Sequence, residues 1–155
     1  MLIILIGTAI ADFTKPEAKP KFSINQISSM KLNTGIITSK LKETKDFYQQ
    51  VLKLGVTFEN EFYILMHTPN HQTQLAFLSP DHPTQQPLFQ PAFGGKGVFI
   101  TIETPDVDAE YKRIQTLGIP IEIPIRNESW GDRHFAIVDP NGIGFDFVTY
   151  TAPEK

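Results

Sequence analysis

Few residues in this chain can do acid–base or metal chemistry, and most of those lie on short segments of alternating polarity. His67 and His134 are candidates for a general base, because imidazole titrates near neutral pH. The commoner fate of a strand-end histidine is simple solvation. Asp146 sits between Phe145 and Phe147. A carboxylate flanked by two core-facing rings needs a partner or an open cleft, since burial alone is costly. Within that half of the chain, Arg133 is the expected ion-pair partner. Glu103 falls at a strand end just before a helix, where solvation is a commoner fate than catalysis. His134, Glu103 and Asp146 are therefore the weak catalytic candidates. Trp130 is the one tryptophan. It stands in a loop with Gly131, either to stack on a ligand or to cover a sheet edge.

Several chemistries are excluded by composition. The chain has 155 residues and no cysteine, so disulfides, thiolate nucleophiles and Cys-ligated metals are ruled out. No Ser/His/Asp order is discernible. The Gly94-Gly95-Lys96-Gly97 run precedes a strand, whereas a phosphate loop must join a strand to a helix. A net charge of −3 with scattered basic residues argues against a nucleic-acid groove. No apolar run approaches the roughly 20 residues of a membrane span. The apolar stretch from Met1 to Ile6 lacks a preceding positive charge and is shorter than a secretory h-region, despite Ala9-Ile10-Ala11 resembling a cleavage site. Residues 1–29 are expected to be an N-terminal arm, with the domain proper over 30–152 and a cytoplasmic location.

The elements that position these groups come twice in the same order. Leu32 to Thr38 reads as a strand. Leu41 to Lys53 reads as a helix, with Leu41, Phe47, Tyr48, Val51 and Leu52 on one face and Gly55 as its stop. Short strands are expected at 56–59, 62–67 and 74–78. The second half repeats this: a strand over 98–104, a helix capped by Asp106 and ended by Gly118, then strands at 119–125, 134–138 and 145–150. Lys53-Leu54-Gly55-Val56 matches Thr116-Leu117-Gly118-Ile119, and Pro69-Asn70 matches Pro140-Asn141. Such self-similarity implies two equivalent units burying their faces together. The modules span about 31–79 and 97–151, and the proline-rich stretch 80–96 links them.

Here the residues support a resemblance. Asn33-Thr34-Gly35-Ile36-Ile37-Thr38, Phe47-Tyr48 and Leu54-Gly55 are similar to the opening of a vicinal oxygen chelate protein. So are Trp130-Gly131-Asp132-Arg133-His134-Phe135 and Asp139-Pro140-Asn141-Gly142, followed by an alternating strand. The resemblance covers about 31–150 and names the glyoxalase/bleomycin resistance protein/dioxygenase superfamily. It implies an α+β fold: two tandem βαβββ modules forming curved sheets around a cleft, with helices outside. It also implies a homodimer.

Strand alternation then sorts the side chains. Val98, Ile100 and Ile102 should lie under a helix, leaving Phe99, Thr101 and Glu103 for the cleft. Asp146, Val148 and Tyr150 follow on the last strand, with His134, Ala136 and Val138 beside them. The first module would offer Asn33, Gly35 and Ile37, then Gln74, Ala76 and Leu78, and Tyr63, Leu65 and His67. The expected ligand-binding set is Asn33, Gln74, Phe99, Thr101, Trp130, Asp146 and Tyr63. By resemblance, metal-dependent relatives carry His, Gln or Glu at the places occupied here by Asn33, Gln74, Phe99 and Asp146. Phe99 cannot coordinate, and amide oxygens are weak ligands for transition metals. No metal and no cofactor are expected. The leading reading is a small-molecule-binding protein that sequesters an organic ligand. A glyoxalase-type lyase or dioxygenase would need a rearranged set such as Asp146, Glu103 and His134. A third reading is an interaction domain whose cleft is vestigial.

Overall fold

A computed structural model describes residues 32–150; the expected arm over 1–29 lies outside them. Two four-stranded mixed sheets, each with one helix, form the two repeats. The first repeat runs β1 (Thr34–Ile37), α1 (Leu41–Leu52), β2 (Gly55–Glu59), β3 (Tyr63–His67) and β4 (Gln74–Leu78). The second runs β5 (Phe99–Glu103), α2 (Val107–Thr116), β6 (Ile123–Asn127), β7 (Asp132–Val138) and β8 (Gly144–Tyr150). Strand order is β1-β4-β3-β2 in one sheet and β5-β8-β7-β6 in the other. The first strand of each repeat is parallel to the last, and the remaining pairs are antiparallel.

Each helix forms because its apolar stripe has a sheet to cover. On α1, Thr44, Tyr48 and Val51 recur at helical spacing and are buried. On α2, Val107 and Ile114 are buried, and Asp106 caps the helix by accepting from the Ala109 N–H at 2.9 Å. The helix ends differ between repeats. Gly118 takes φ +70° after α2 as expected, but α1 is closed by Lys53, at φ 56°. Gly55 is the first residue of β2 instead. A Cβ there would lie 2.5 Å from the His67 ring, so packing rather than helix termination calls for glycine. The equivalent strand of the second repeat starts at Ile123, not at Ile119, and runs through an irregularity between Ile123 and Arg126. That shift carries the strand on to Asn127.

One core serves both repeats. Tyr48 of α1 packs edge-on against Phe77 of its own sheet and Phe145 of the other, at 4.7 and 5.4 Å between ring centroids. Phe135 and Phe147 stack at 4.9 Å beneath α2. A polar clamp accompanies these rings. The buried Asp139 accepts from the Tyr48 hydroxyl at 3.1 Å, from the backbone N–H groups of Asn141 and Ile143 at 2.8 Å, and from Asn141 Nδ2 at 2.9 Å. Asn141 in turn bonds Thr38 and Thr44 of the first repeat. Gly142 holds φ +85°, and a Cβ there would lie 2.8 Å from the Gly95 carbonyl oxygen. The Asp139-Pro140-Asn141-Gly142 turn therefore ties the two repeats together. Arg113 of α2 adds a bond from Nη2 to the Val51 carbonyl of α1, at 2.8 Å.

Candidate functional site

The open face of the second sheet follows from strand register. Thr101, Asp146, Ala136 and Ile123 lie in one row across β5, β8, β7 and β6. Glu103, Val148, His134 and Arg126 make the next row, and Phe99, Gly144 and Val138 the row on the other side. The intervening residues Phe135, Ile137, Phe145 and Phe147 are buried in the core. Side chains alternate between faces along a strand, so the polar groups and the exposed Phe99 share one surface. Phe99 is 70% exposed, whereas Ile100 and Ile102 pack against the core. Val98 departs from the expected row: β5 begins after it, and it is exposed.

A cavity of about 260 Å³ opens on this face, lined by Phe99, Ile123, His134, Ala136, Gly144, Phe145 and Asp146. Its polar end is a chain of charged groups. His134 Nδ1 lies 2.7 Å from Asp146 Oδ1, and His134 Nε2 lies 3.0 Å from Glu128 Oε1. Glu128 Oε1 also accepts from Arg126 Nε at 2.6 Å. Ionised carboxylates only accept, so two such contacts need both ring nitrogens to donate, as only the imidazolium can. Burial pulls the His134 pKa down, but the hydrogen bonds to Asp146 and Glu128 outweigh it and hold the pKa above 6.5. Glu128 is held below its ordinary value, first by its bond to His134.

The sign of the resulting pH dependence follows by linkage. The His134 contribution to stability is fully present below its unfolded value of 6.5 and is lost as pH rises through the raised folded value. The Glu128 contribution is present above 4.5 and is lost as pH falls through its depressed folded value. Replacing His134 with Gln should therefore cost most stability near about pH 5.5 and clearly less near about pH 8.5. Denaturant melts of both proteins at the two pH values measure this; an equal cost at both would refute a charged His134.

The expected site residues fall into three places. Phe99, Thr101, Asp146, His134 and Glu103 share the open face of the second sheet. Gln74 and Tyr63 are half-buried on the first sheet, and the exposed Asn33 precedes β1. These three do not line the cavity beside Asp146. Trp130 is exposed in the turn between β6 and β7 and donates from its indole to Asp132 at 2.7 Å. The expected Asp146–Arg133 pair does not form. Arg133 points to the helix side, where its guanidinium makes two bonds to Asp108, at 2.7 and 2.6 Å. His67 stacks on His71 at 3.8 Å and donates from Nδ1 to the Thr68 carbonyl. Glu128 had no signal in the sequence, because β6 was expected to end at Ile125.

The four places that resemble a metal set do not fit one. Phe99 has no donor atom, and Asn33 and Gln74 bring only amide groups. Both nitrogens of His134 are occupied by carboxylates, which leaves the rearranged set of Asp146, Glu103 and His134 without an imidazole lone pair. Among the described residues, no three His, Asp or Glu side chains are placed to hold one ion.

Residues 24–147 match the model of the Glyoxalase/Bleomycin resistance protein/Dioxygenase superfamily. The chain belongs to that superfamily. Several solved structures share its fold. A glyoxalase/bleomycin resistance protein/dioxygenase from Nocardioides is 18% identical, covering 84% of this chain and 93% of its own, with a TM-score of 0.67. A lactoylglutathione lyase from Agrobacterium tumefaciens is 18% identical over 78% of this chain and 93% of its own, with a TM-score of 0.63. A bleomycin-binding protein complexed with bleomycin is 18% identical over 78% and 98%, with a TM-score of 0.56. None of the curated proteins matches this sequence. The two repeats are thus the superfamily's βαβββ modules, and the cavity lies on the face opposite the second module's helix. Among the described residues, no helix is long and apolar enough to cross a membrane.

Proposed function

We propose that this chain is a metal-independent member of the superfamily that binds a small organic ligand on the open face of its second sheet. The observation that carries the reading is the composition of the cavity wall. Phe99, Ile123, Ala136 and Gly144 give an apolar floor, with Asp146 and His134 at one edge. Small-ligand pockets typically combine such a floor with a few convergent polar groups. A second cavity, about 280 Å³ along β1, has Thr34 as its only polar side chain and offers little to orient a ligand. The donor chemistry supports binding without a metal, since Phe99 stands where a ligand would be needed.

The bleomycin-binding neighbour supports the same class of role, while the lyase neighbour shows that the fold also hosts catalysis. Fold likeness alone does not choose between them; the binding reading is supported by the His134 contacts, which engage both ring nitrogens with carboxylates. The same reading includes a cytoplasmic location and a homodimer, the second supported by Trp130 and Tyr150 standing exposed on or beside one sheet.

The test is binding after EDTA treatment. Protein stripped of divalent ions should keep its melting temperature, since a ligand bound to the native state alone would stabilise it by mass action. It should still bind an apolar aromatic probe such as 1-naphthalenemethanol. A fall in melting temperature, or binding restored only by Zn or Ni, would favour the metalloenzyme.

A further inference from the structure

Asp146 lines the cavity and commits only one of its oxygens within the described residues. Oδ1 is taken by His134 at 2.7 Å, while Oδ2 has no hydrogen-bond partner among the described residues. The side chain is 30% exposed, and Oδ2 is not among the buried unpartnered polar atoms. Beside it the wall is apolar, with Phe99 presenting a largely exposed ring. What defines the site is this cavity, and its open oxygen defines the chemistry at one end.

The surrounding charges give that end a sign. Among the described residues, four carboxylates stand on or beside the open face: Asp146, Glu128, Glu103 and Asp132. Against them, among the described residues of that face, stand two cations, each bonded to a carboxylate. His134 is held between Asp146 and Glu128, and Arg126 is bonded to Glu128. Arg133 is engaged with Asp108 on the helix side. Among the described residues on this face, carboxylates therefore outnumber cations. The Tyr150 phenol stands in the same field: partial desolvation, then the charges of Glu103, Asp132 and Asp146, push its pKa above the ordinary value.

We infer that the cavity selects ligands with a protonated amine on an apolar or aromatic body, the ammonium donating to Asp146 Oδ2 and the body packing on Phe99 and Ile123. This rests on the cavity being the binding site. A charge-assisted hydrogen bond is stronger than a neutral one, and an exposed aromatic face attracts a nearby cation. A neutral hydroxyl donates to the same oxygen without the charge. A carboxylate meets repulsion.

Three probes of one shape test this on the full chain: 1-naphthylmethylamine, 1-naphthalenemethanol and 1-naphthoic acid, titrated calorimetrically at neutral pH and low salt. The amine should bind about tenfold more tightly than the alcohol, and the acid most weakly. Asp146→Asn, which keeps an acceptor for His134, should bring the amine down to the alcohol. Phe99→Ala should weaken amine and alcohol together. The ranking in the unaltered protein needs no variant to fold. If Phe99→Ala weakens the probes but the acid matches or exceeds the amine, or if Asp146→Asn leaves the preference intact, the charge assignment is wrong and the cavity stands. If the probes bind without dependence on Phe99, or do not bind at all, the cavity reading itself is wrong and the inference falls with it.

Discussion

Asp139→Ala should be among the most damaging single changes in the chain, costing about 3–5 kcal/mol of stability. Asp139 is buried and accepts four hydrogen bonds: one from Tyr48 in the first repeat, three from its own turn. Removing it leaves the Tyr48 hydroxyl and the Ile143 N–H in the core with nothing to donate to. Burying such groups unpaired costs far more than an average hydrogen bond contributes. Tyr48→Phe removes the donor instead and should cost only about 1–2 kcal/mol. The double variant should cost less than the sum, because the two groups share one interaction. Urea melts of the four proteins measure this; strict additivity would contradict a direct Tyr48–Asp139 bond.

The second large effect tests the strand register on which every site assignment depends. Phe145→Ala should cost about 3–5 kcal/mol. Its ring is fully buried and contacts Phe47 and Tyr48 from the opposite repeat. Phe99→Ala removes a side chain of the same size from the adjacent strand, yet should change stability by no more than about 0.5 kcal/mol. The difference lies in the face each ring occupies. Phe145 points under the helices, and Phe99 stands 70% exposed on the other side. A one-residue slip exchanges the two faces of a strand, so similar costs for both would show β5 to be misread.

The fold was legible because its signals were periodic and doubled. Apolar spacing marked both helices, alternation marked the strands, and the internal match implied two equivalent modules. The open-face row of Phe99, Thr101 and Glu103 also followed from alternation alone, since period two leaves a strand only two choices. Boundaries were less legible. Leu54-Gly55 and Leu117-Gly118 match in sequence, yet Lys53 rather than Gly55 takes the left-handed turn, and β6 starts four residues after the matching isoleucine. A local match does not fix where pairing begins, because the partner strand and its irregularities decide that.

The partners of the charged groups were the least legible part. Sequence proximity paired Asp146 with Arg133, but neighbouring positions on β7 face opposite ways. Arg133 therefore meets Asp108 of α2, and His134 meets Asp146. Alternation held the information, and distance along the chain obscured it. Glu128 joined the site through an irregular extension of β6 that no periodic signal marks. The Asp139-Pro140-Asn141-Gly142 run was legible as part of the family resemblance; its role as the clamp between modules depends on Tyr48, Thr38 and Thr44, about 90 to 100 residues away.

Backbone amide shift mapping, on EDTA-treated protein titrated with 1-naphthalenemethanol, tests the central claim most directly. The account predicts saturable shifts concentrated at Phe99, Thr101, Ile123, Ala136, Gly144 and Asp146, and their loss in folded Phe99→Ala. Shifts confined to the first sheet around Tyr63 and Gln74, or appearing only after a divalent metal is added, would contradict it.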